Sequence, residues 1–309
     1  MLPKRTIDFL VYLLVRVFLC VIQAMRIESC DRLAAHLATL MASILKVRRQ
    51  VIDENLQHAF PDMKAAERRR LAWRMWHHLF LMAFEIAHAP RKIHETNWRD
   101  YFTLRNARPL VAALLDQRPS VLVSAHYGNF EIAGYMLGIF GMPTFTVARP
   151  LDNPYLDRFL NDFRSATGQQ ILPKRGTSGD IAKLLECNGA LLLLGDQASG
   201  RKGCWVDFFN RTASVHKAIA VFSLGNDAPL VVTLACRLDR PLHFEIGAEA
   251  VADPRDGRPE TDNVRELTEW FTRQLETTIR RAPHQYWWLH RRWKGKPGKK
   301  VRQQKRKAA

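Results

Sequence analysis

"ALLLLGDQ", residues 190–197, decides the fold. The run is apolar at every position, too short for a stable helix, and closed by a glycine and an acid–amide pair. A strand that is apolar on both alternations is one buried on both faces, as in a parallel sheet covered by helices. The flanking segments fit that reading. "TSGDIAKLLECNG" upstream is helical, capped by Thr177 or Ser178 and closed by Gly189. Before it come "QILP" as a brief strand, "NPYLDRFLNDFRSATG" as a helix opened by Asn153-Pro154 and stopped by Gly168, and "PTFTVAR" as a strand. Further back, "VLVSA" (residues 121–125) is a short buried strand, followed by "EIAGYMLGIFG" as a helix.

Downstream, a polar loop leads to "SVHKAIAVFSLG" as a helix, then to "PLVVTLACRL" and "LHFEIGAEAV" as strands. "VRELTEWFTRQLETTIRRA" is a closing amphipathic helix. Residues 28–89 carry apolar residues at three- and four-residue spacing and are helical. Strand and helix alternate through the centre. The expected architecture is α/β: a mainly parallel central sheet flanked by helices, after a helical N-terminal segment.

The chain has 309 residues, 47% hydrophobic and 25% charged, enough for a large core. Its formal net charge of +17 is unusual and suits an anionic partner: nucleic acid, an anionic membrane surface or an acidic protein. Five scattered cysteines form no C-x-x-C pair, which fits reduced thiols and shows no zinc-ligand spacing.

"IDFLVYLLVRVFLCVIQAM" (residues 7–25) is near spanning length and flanked by Lys4, Arg5 and Arg26. Arg16 in its middle costs about 2.5–3.5 kcal/mol at a bilayer centre, unless it snorkels. The segment is expected to be a membrane-associated helix, with a buried core helix as the alternative. Basic residues at both ends leave its topology open. "KGKPGKKVRQQKRKAA" (residues 294–309) is a basic tail expected to be disordered and to meet anionic head groups. The expected organisation is an anchor helix over 1–27, a main domain over 28–293 and this tail over 294–309.

Chemistry gathers where parallel strands end. "SAHYGNFE" (residues 124–131) puts His126 at a strand end, Gly128 in a tight turn and Glu131 at the start of a helix. A carboxylate holding one imidazole nitrogen leaves the other to take a proton from a hydroxyl. The plainer alternative is a helix N-terminus with Glu131 placed near the dipole. Ser124 faces the same way as His126, but no G-x-S-x-G elbow is present, so a structural role is expected for it.

"SAHYGNFE" resembles the H-x4-D/E motif of the lysophospholipid acyltransferase superfamily. The chain as a whole resembles one branch, the bacterial lipid A biosynthesis acyltransferases of lauroyl/myristoyl type. The resemblance runs in order through "VIDENLQHAFPDM", the H-x4-E, "VARPLDNPYLDRFLNDFR", "LPKRG", "LLLLGDQ", "VDFFNRTAS" and "RAPHQYWWLHRRWK". It implies transfer of an acyl chain from an acyl thioester, on acyl carrier protein or coenzyme A, to a hydroxyl of a membrane glycolipid. His126 then matches the general base and Glu131 its partner. Arg149, Asp196 and Gln197 match substrate-binding positions, and Arg175 is a further basic candidate with surface charge as its alternative. The resemblance also implies an inner-membrane location with the catalytic domain on the cytoplasmic face.

No metal and no cofactor beyond the thioester co-substrate are expected, and no nucleic acid. Asn210 stands where the family commonly has glycine, and "VHKAIA" where it has a proline and a glycine. That segment is expected to line the cleft, with His216 and Lys217 near a phosphate, which leaves the acceptor open. A glycerophospholipid or amino-lipid acceptor, or a lipid hydrolase using the same pair, are the alternatives. Arg291 and Arg292 in "YWWLHRRWK" are expected to face the cleft or the membrane, with part of the tryptophans buried.

Overall fold

A computed structural model describes residues 3–173, 176, 178–295 and 297. Lys174, Arg175 and Thr177 fall outside them, so the Arg175 candidate and the Thr177 cap do too, as does nearly all of the basic tail.

The N-terminal part is helical: α1 (Lys4–Ala24), α2 (Ile27–Thr39) continued by a π turn at Leu40–Ile44, α3 (Arg49–Ala59) and α4 (Ala65–Lys92). Then strands and helices alternate: β1 (Phe102–Arg105), α5 (Ala107–Leu114), β2 (Ser120–Ser124), α6 (Phe130–Ile139), β3 (Thr144–Ala148), α7 (Pro154–Ser165), β4 (Gln170–Pro173), α8 (Ser178–Glu186) and β5 (Ala190–Leu194). The chain closes with β6 (Cys204–Phe208), β7 (Arg211–Val215), α9 (Ala218–Gly225), β8 (Leu230–Arg237), β9 (Phe244–Ala252) and α10 (Val264–Arg281). Asparagines set three of the helix starts. Asn129, Asn153 and Asn263 accept backbone N–H bonds at the openings of α6, α7 and α10.

Among the described residues, seven strands form one sheet in the order β1-β9-β8-β2-β5-β3-β4. β2 pairs in parallel with both β5 and β8, and β3 with both β5 and β4. Within this sheet, among the described residues, only the β8–β9 pairing is antiparallel. β2 is buried at every position, and Leu191 of β5 is fully buried, as a sheet covered on both sides requires. After β2 the chain winds to one side through β3 and β4, then returns to place β5 beside β2. It crosses to β8 on the other side. The strand order therefore reverses at β2/β5, and that reversal opens a crevice at the carboxyl ends of these strands.

Two local expectations are corrected. Residues 204–215, read as a polar loop running into a helix at Ser214, form the β6–β7 hairpin, and α9 begins only at Ala218. The hairpin turn uses Phe209 and Asn210, both at positive φ (50° and 57°). A two-residue turn of this hand needs left-handed backbone at both positions. Asn210 supplies it where glycine would, which makes it a turn residue at a hairpin tip rather than part of the cleft. The short edge strand β1 carries no clear signal in the sequence.

α1 packs along the body at both ends. Arg5 Nε donates to the Tyr155 hydroxyl (3.3 Å), Asn153 Nδ2 to the Asp8 carbonyl (2.8 Å), and Gln23 Nε2 to the Ala87 carbonyl (2.8 Å). Arg16 lies over the Phe159 ring of α7 at 4.8 Å, which gives the mid-helix charge a protein partner. The opposite face is bare and apolar: Leu14 is 71% exposed, Val17 56% and Val21 54%. Ile22 is the buried residue of α1, so the core-helix alternative does not hold.

Candidate active site

Parallel register brings two strand ends together. Ser124 of β2 is the partner of Leu194 of β5, and Gly195 N–H donates to the Ser124 carbonyl at 2.8 Å. His126 and Asp196 leave the sheet side by side from there. His126 Nδ1 and Asp196 Oδ1 are 2.8 Å apart, and Asp196 is 2% exposed. The turn after His126 depends on Gly128, at φ 60°. A Cβ there would stand 1.9 Å from the Ala235 carbonyl oxygen, so only glycine fits.

The Asp196 carboxylate accepts the Nδ1 proton, so the lone pair sits on Nε2. The Gln197 side-chain nitrogen, 3.2 Å from Nε2, donates to it. Burial acts to lower the His126 pKa. The charge and hydrogen bond of Asp196 outweigh it, with a smaller contribution from Glu131, and raise the pKa above the ordinary 6.5. Burial opposes ionisation of Asp196, yet His126 brings its pKa down from 3.8 to about 2. Burial and then the His126 charge lower the pKa of His290, whose ring is 5.1 Å from that of His126, below the ordinary 6.5. The pair thus has the form of an ionised, buried carboxylate orienting an imidazole whose other nitrogen faces a cavity.

Glu131 does not make the expected direct bond to His126. It makes a two-pronged ion pair with Arg164 of α7: Nε to Oε2 at 2.9 Å and Nη2 to Oε1 at 2.6 Å. The reason is geometric. The carboxylate on the neighbouring parallel strand reaches the imidazole first, while Glu131, in the first turn of α6, faces α7. Glu131, Arg164 and His126 line the same cavity. Of the other sequence candidates, Arg149 and Gln197 line it too, and Arg149 pairs with Asp152 at the exposed rim (3.0 Å). His216 lines it, whereas Lys217 stands at the start of α9. Ser124 Oγ donates to the Thr233 carbonyl (3.1 Å), a structural role.

The cavity has a volume of about 600 Å3. Its mouth holds His126, Glu131, Arg149, Arg164, Gln197 and Trp287. The rest of its lining is largely apolar, with Leu110, Leu137, Leu192, Ile181, Phe222 and Ile246 among the walls. A polar rim over a long apolar well suits a ligand with a reactive head and a hydrocarbon tail.

Beneath the His126 turn lies a buried polar network. Arg237 makes two 2.6 Å bonds to Glu85, which is fully buried, and donates to His78 Nδ1 at 2.7 Å. Burial and then the Arg237 charge hold the His78 pKa well below 6.5, so its Nε2–H donates to the Gly128 carbonyl at 3.1 Å. Asn129 bonds Glu85 (3.1 Å), and Gly128 N–H donates to the Gln285 carbonyl (3.0 Å). The C-terminal segment clamps the same turn through a Tyr127–Tyr286 bridge and the Trp287 N–H to the His126 carbonyl (3.0 Å). Arg292, expected at the cleft or membrane, is instead 2% exposed, bonded to the Ser214 carbonyl (2.9 Å) and stacked over Phe208 (4.8 Å). Arg291 is exposed, and Trp288 is buried while Trp287 faces the cavity.

Sequence reasoning missed Arg164 and the partnership of His126 with Asp196. The first had a signal: Arg164 follows Leu160 by one helical turn, so it shares the inward face of α7. The second needed the register of two strands far apart in sequence.

The sequence profile described as "Bacterial lipid A biosynthesis acyltransferase" matches residues 3–295. The chain is 25% identical over 272 residues to a "Lipid A biosynthesis palmitoleoyltransferase" of Escherichia coli (strain K12), covering 86% of this chain and 85% of that protein. It is 25% identical, with the same coverage, to the "Lipid A biosynthesis lauroyltransferase" of that organism. It is 25% identical over 186 residues to a "Lipid A biosynthesis acyltransferase" of Haemophilus influenzae, covering 59% of this chain and 57% of that protein.

Proposed function

Because the chain belongs to the bacterial lipid A biosynthesis acyltransferase family and is an acyltransferase, we propose that it moves a fatty acyl chain from a thioester to a hydroxyl of a lipid A-like glycolipid, with His126 as general base. The observation that carries this reading is the His126–Asp196 pair beside a largely apolar cavity that His126 lines.

The acyl tail fills the well, and its thioester carbonyl lies at the rim. The acceptor hydroxyl takes the place of the Gln197 amide against His126 Nε2. As its oxygen attacks the carbonyl carbon, its proton passes to Nε2, and Asp196 stabilises the imidazolium. The tetrahedral intermediate collapses, the C–S bond breaks, and the imidazolium returns the proton to the departing thiolate. No covalent enzyme intermediate is needed. Arg164, held rigid by Glu131, is the preorganised cation for the developing oxyanion. Glu131 therefore acts through Arg164 rather than through His126. Arg149, exposed and tied to the rim carboxylate of Asp152, is placed to meet an anionic group of the acceptor head. The donor is acyl carrier protein or coenzyme A, and the net charge of +17 suits either acidic partner.

The bare face of α1 rests on a bilayer. Because α1 is bonded to α7 near its start and to α4 near its end, crossing the bilayer would carry the exposed Arg158 and Asp162 of α7 into hydrocarbon. α1 therefore lies in the interface plane, with Lys4, Arg5 and Arg26 at the head groups. α7 also supplies Leu160 and Arg164 to the cavity, so the mouth opens beside the membrane surface. Since acyl thioesters are made in the cytoplasm, this is the cytoplasmic face of the inner membrane.

The test is purified full-length protein with acyl carrier protein or coenzyme A thioesters and an under-acylated lipid A precursor, read by mass spectrometry. The expected product is the precursor carrying one more ester-linked chain. Free fatty acid as the main product, with acceptor present, would make the protein a hydrolase.

A further inference from the structure

Behind the acyl well lies a second apolar cavity of about 250 Å3. It is bounded by Trp98, Leu104, Val111, Phe140 and Met142, with the Trp98 and Phe140 rings in edge contact at 4.8 Å. None of these residues lines the first cavity. Three residues line both: Leu110 of α5, Leu137 of α6 and Ile246 of β9. They are 5%, 4% and 3% exposed, drawn from three elements, and form a partition one side chain thick.

The partition has a fixed depth. Glu131 and Leu137, at the partition, share α6, six residues apart, so Leu137 lies about 9 Å further along the helix axis. Ala133 lines the well between them, and its small side chain leaves the passage open. A hydrocarbon tail entering past Glu131 meets Leu110, Leu137 and Ile246 as its floor.

We propose that Leu110, Leu137 and Ile246 set the longest acyl chain transferred, and that the cavity behind them takes the distal methylenes of longer chains once the partition is trimmed. This rests on the acyltransferase reading. The second cavity has no polar wall residue to repel a methyl terminus, and the ring pair of Trp98 and Phe140 bounds it on the far side. A well with a hard floor discriminates by single methylenes, at about 10–200-fold each.

The experiment offers full-length protein a mixture of saturated acyl thioesters of increasing length with an under-acylated lipid A precursor, and reads the product masses. Leu137→Ala and Leu110→Ala are expected to raise the ratio of longer to parent chains by roughly tenfold or more. Ile246→Val removes a single methyl and keeps the test readable if the alanine variants fold poorly. Ala133→Leu, above the floor, is expected to shift the products to shorter chains. Val111→Phe fills the second cavity; it should leave the wild-type profile unchanged and cancel the lengthening in Leu137→Ala. An unchanged profile in folded, active partition variants overturns this proposal alone. Lengthening that Val111→Phe does not cancel overturns the role of the second cavity. Wild-type protein that transfers no chain of any length overturns the acyltransferase reading, and this proposal with it.

Discussion

His126 and Asp196 each stand two residues beyond a registered pair, Ser124 and Leu194, on neighbouring parallel strands, and their side chains meet at 2.8 Å. Parallel pairing makes this contact a consequence of topology: equal offsets from a matched pair exit the same edge together. The site is therefore as rigid as the sheet that carries it.

The pair governs the pH dependence. The base must be neutral, so the rate should rise with pH through a His126 pKa that lies above 6.5. In Asp196→Asn, burial remains and the raising charge is gone. The acid limb of the pH–rate profile should move to lower pH, while the maximal rate falls about 10²–10⁴-fold. An acid limb that stays in place would detach Asp196 from the base.

The same pair has a stability signature. Asp196 is lowered from 3.8 to about 2, so its contribution is present above pH 3.8 and is lost as pH falls towards 2. His126 is raised, so its contribution is present below pH 6.5 and is lost as pH rises through its folded pKa. Urea unfolding across pH should show both slopes, and Asp196→Asn should flatten them.

Glu131 and Arg164 are expected to behave as one unit. Glu131→Gln and Arg164→Gln should each lower kcat/KM by about 10²-fold or more, as loss of an oxyanion donor does. The double variant should be little worse than either single one. A double-mutant cycle with additive losses would separate the two residues.

Gly128→Ala tests the turn. Its φ of 60° and the Ala235 carbonyl 1.9 Å from a Cβ leave no strain-free solution. A destabilisation of about 1–3 kcal/mol, with loss of activity, is expected in thermal or urea melts. Wild-type stability would mean that the turn can relax.

α1 should lie flat. Leu14→Glu with Val21→Glu should weaken binding to anionic vesicles by roughly tenfold or more, because both side chains are exposed on its bare face. Cysteines placed at Lys4 and Arg26, with the exposed Cys20 and Cys187 replaced, should both react with an impermeant thiol reagent from one side. Protection of the first position alone would mean that the helix spans.

Local pattern was enough for the central sheet apart from its edge strand β1. The all-apolar "LLLL" of β5, the Asn153-Pro154 opening of α7, and the strand-end position of His126 are written within a few residues each. The β6–β7 hairpin was hidden because its turn is Phe-Asn rather than a glycine pair. The carboxylate partner of His126 was hidden for a different reason. Glu131 is near in sequence, but Asp196 is near in space, and only strand register tells them apart. Arg292 looked like a surface cation among tryptophans and is buried, because a guanidinium stacked on Phe208 and bonded to a carbonyl can replace its water.

The most direct test of the central claim is the transfer rate of His126→Ala, in the full-length protein with an acyl thioester and an under-acylated lipid A precursor. Its fold is checked by its melting transition, since the variant leaves the Asp196 carboxylate buried without its partner. A folded, vesicle-bound variant whose transfer is slower by about 10²–10⁴-fold is the predicted result. Transfer near the wild-type rate would contradict the assignment of His126 as the base.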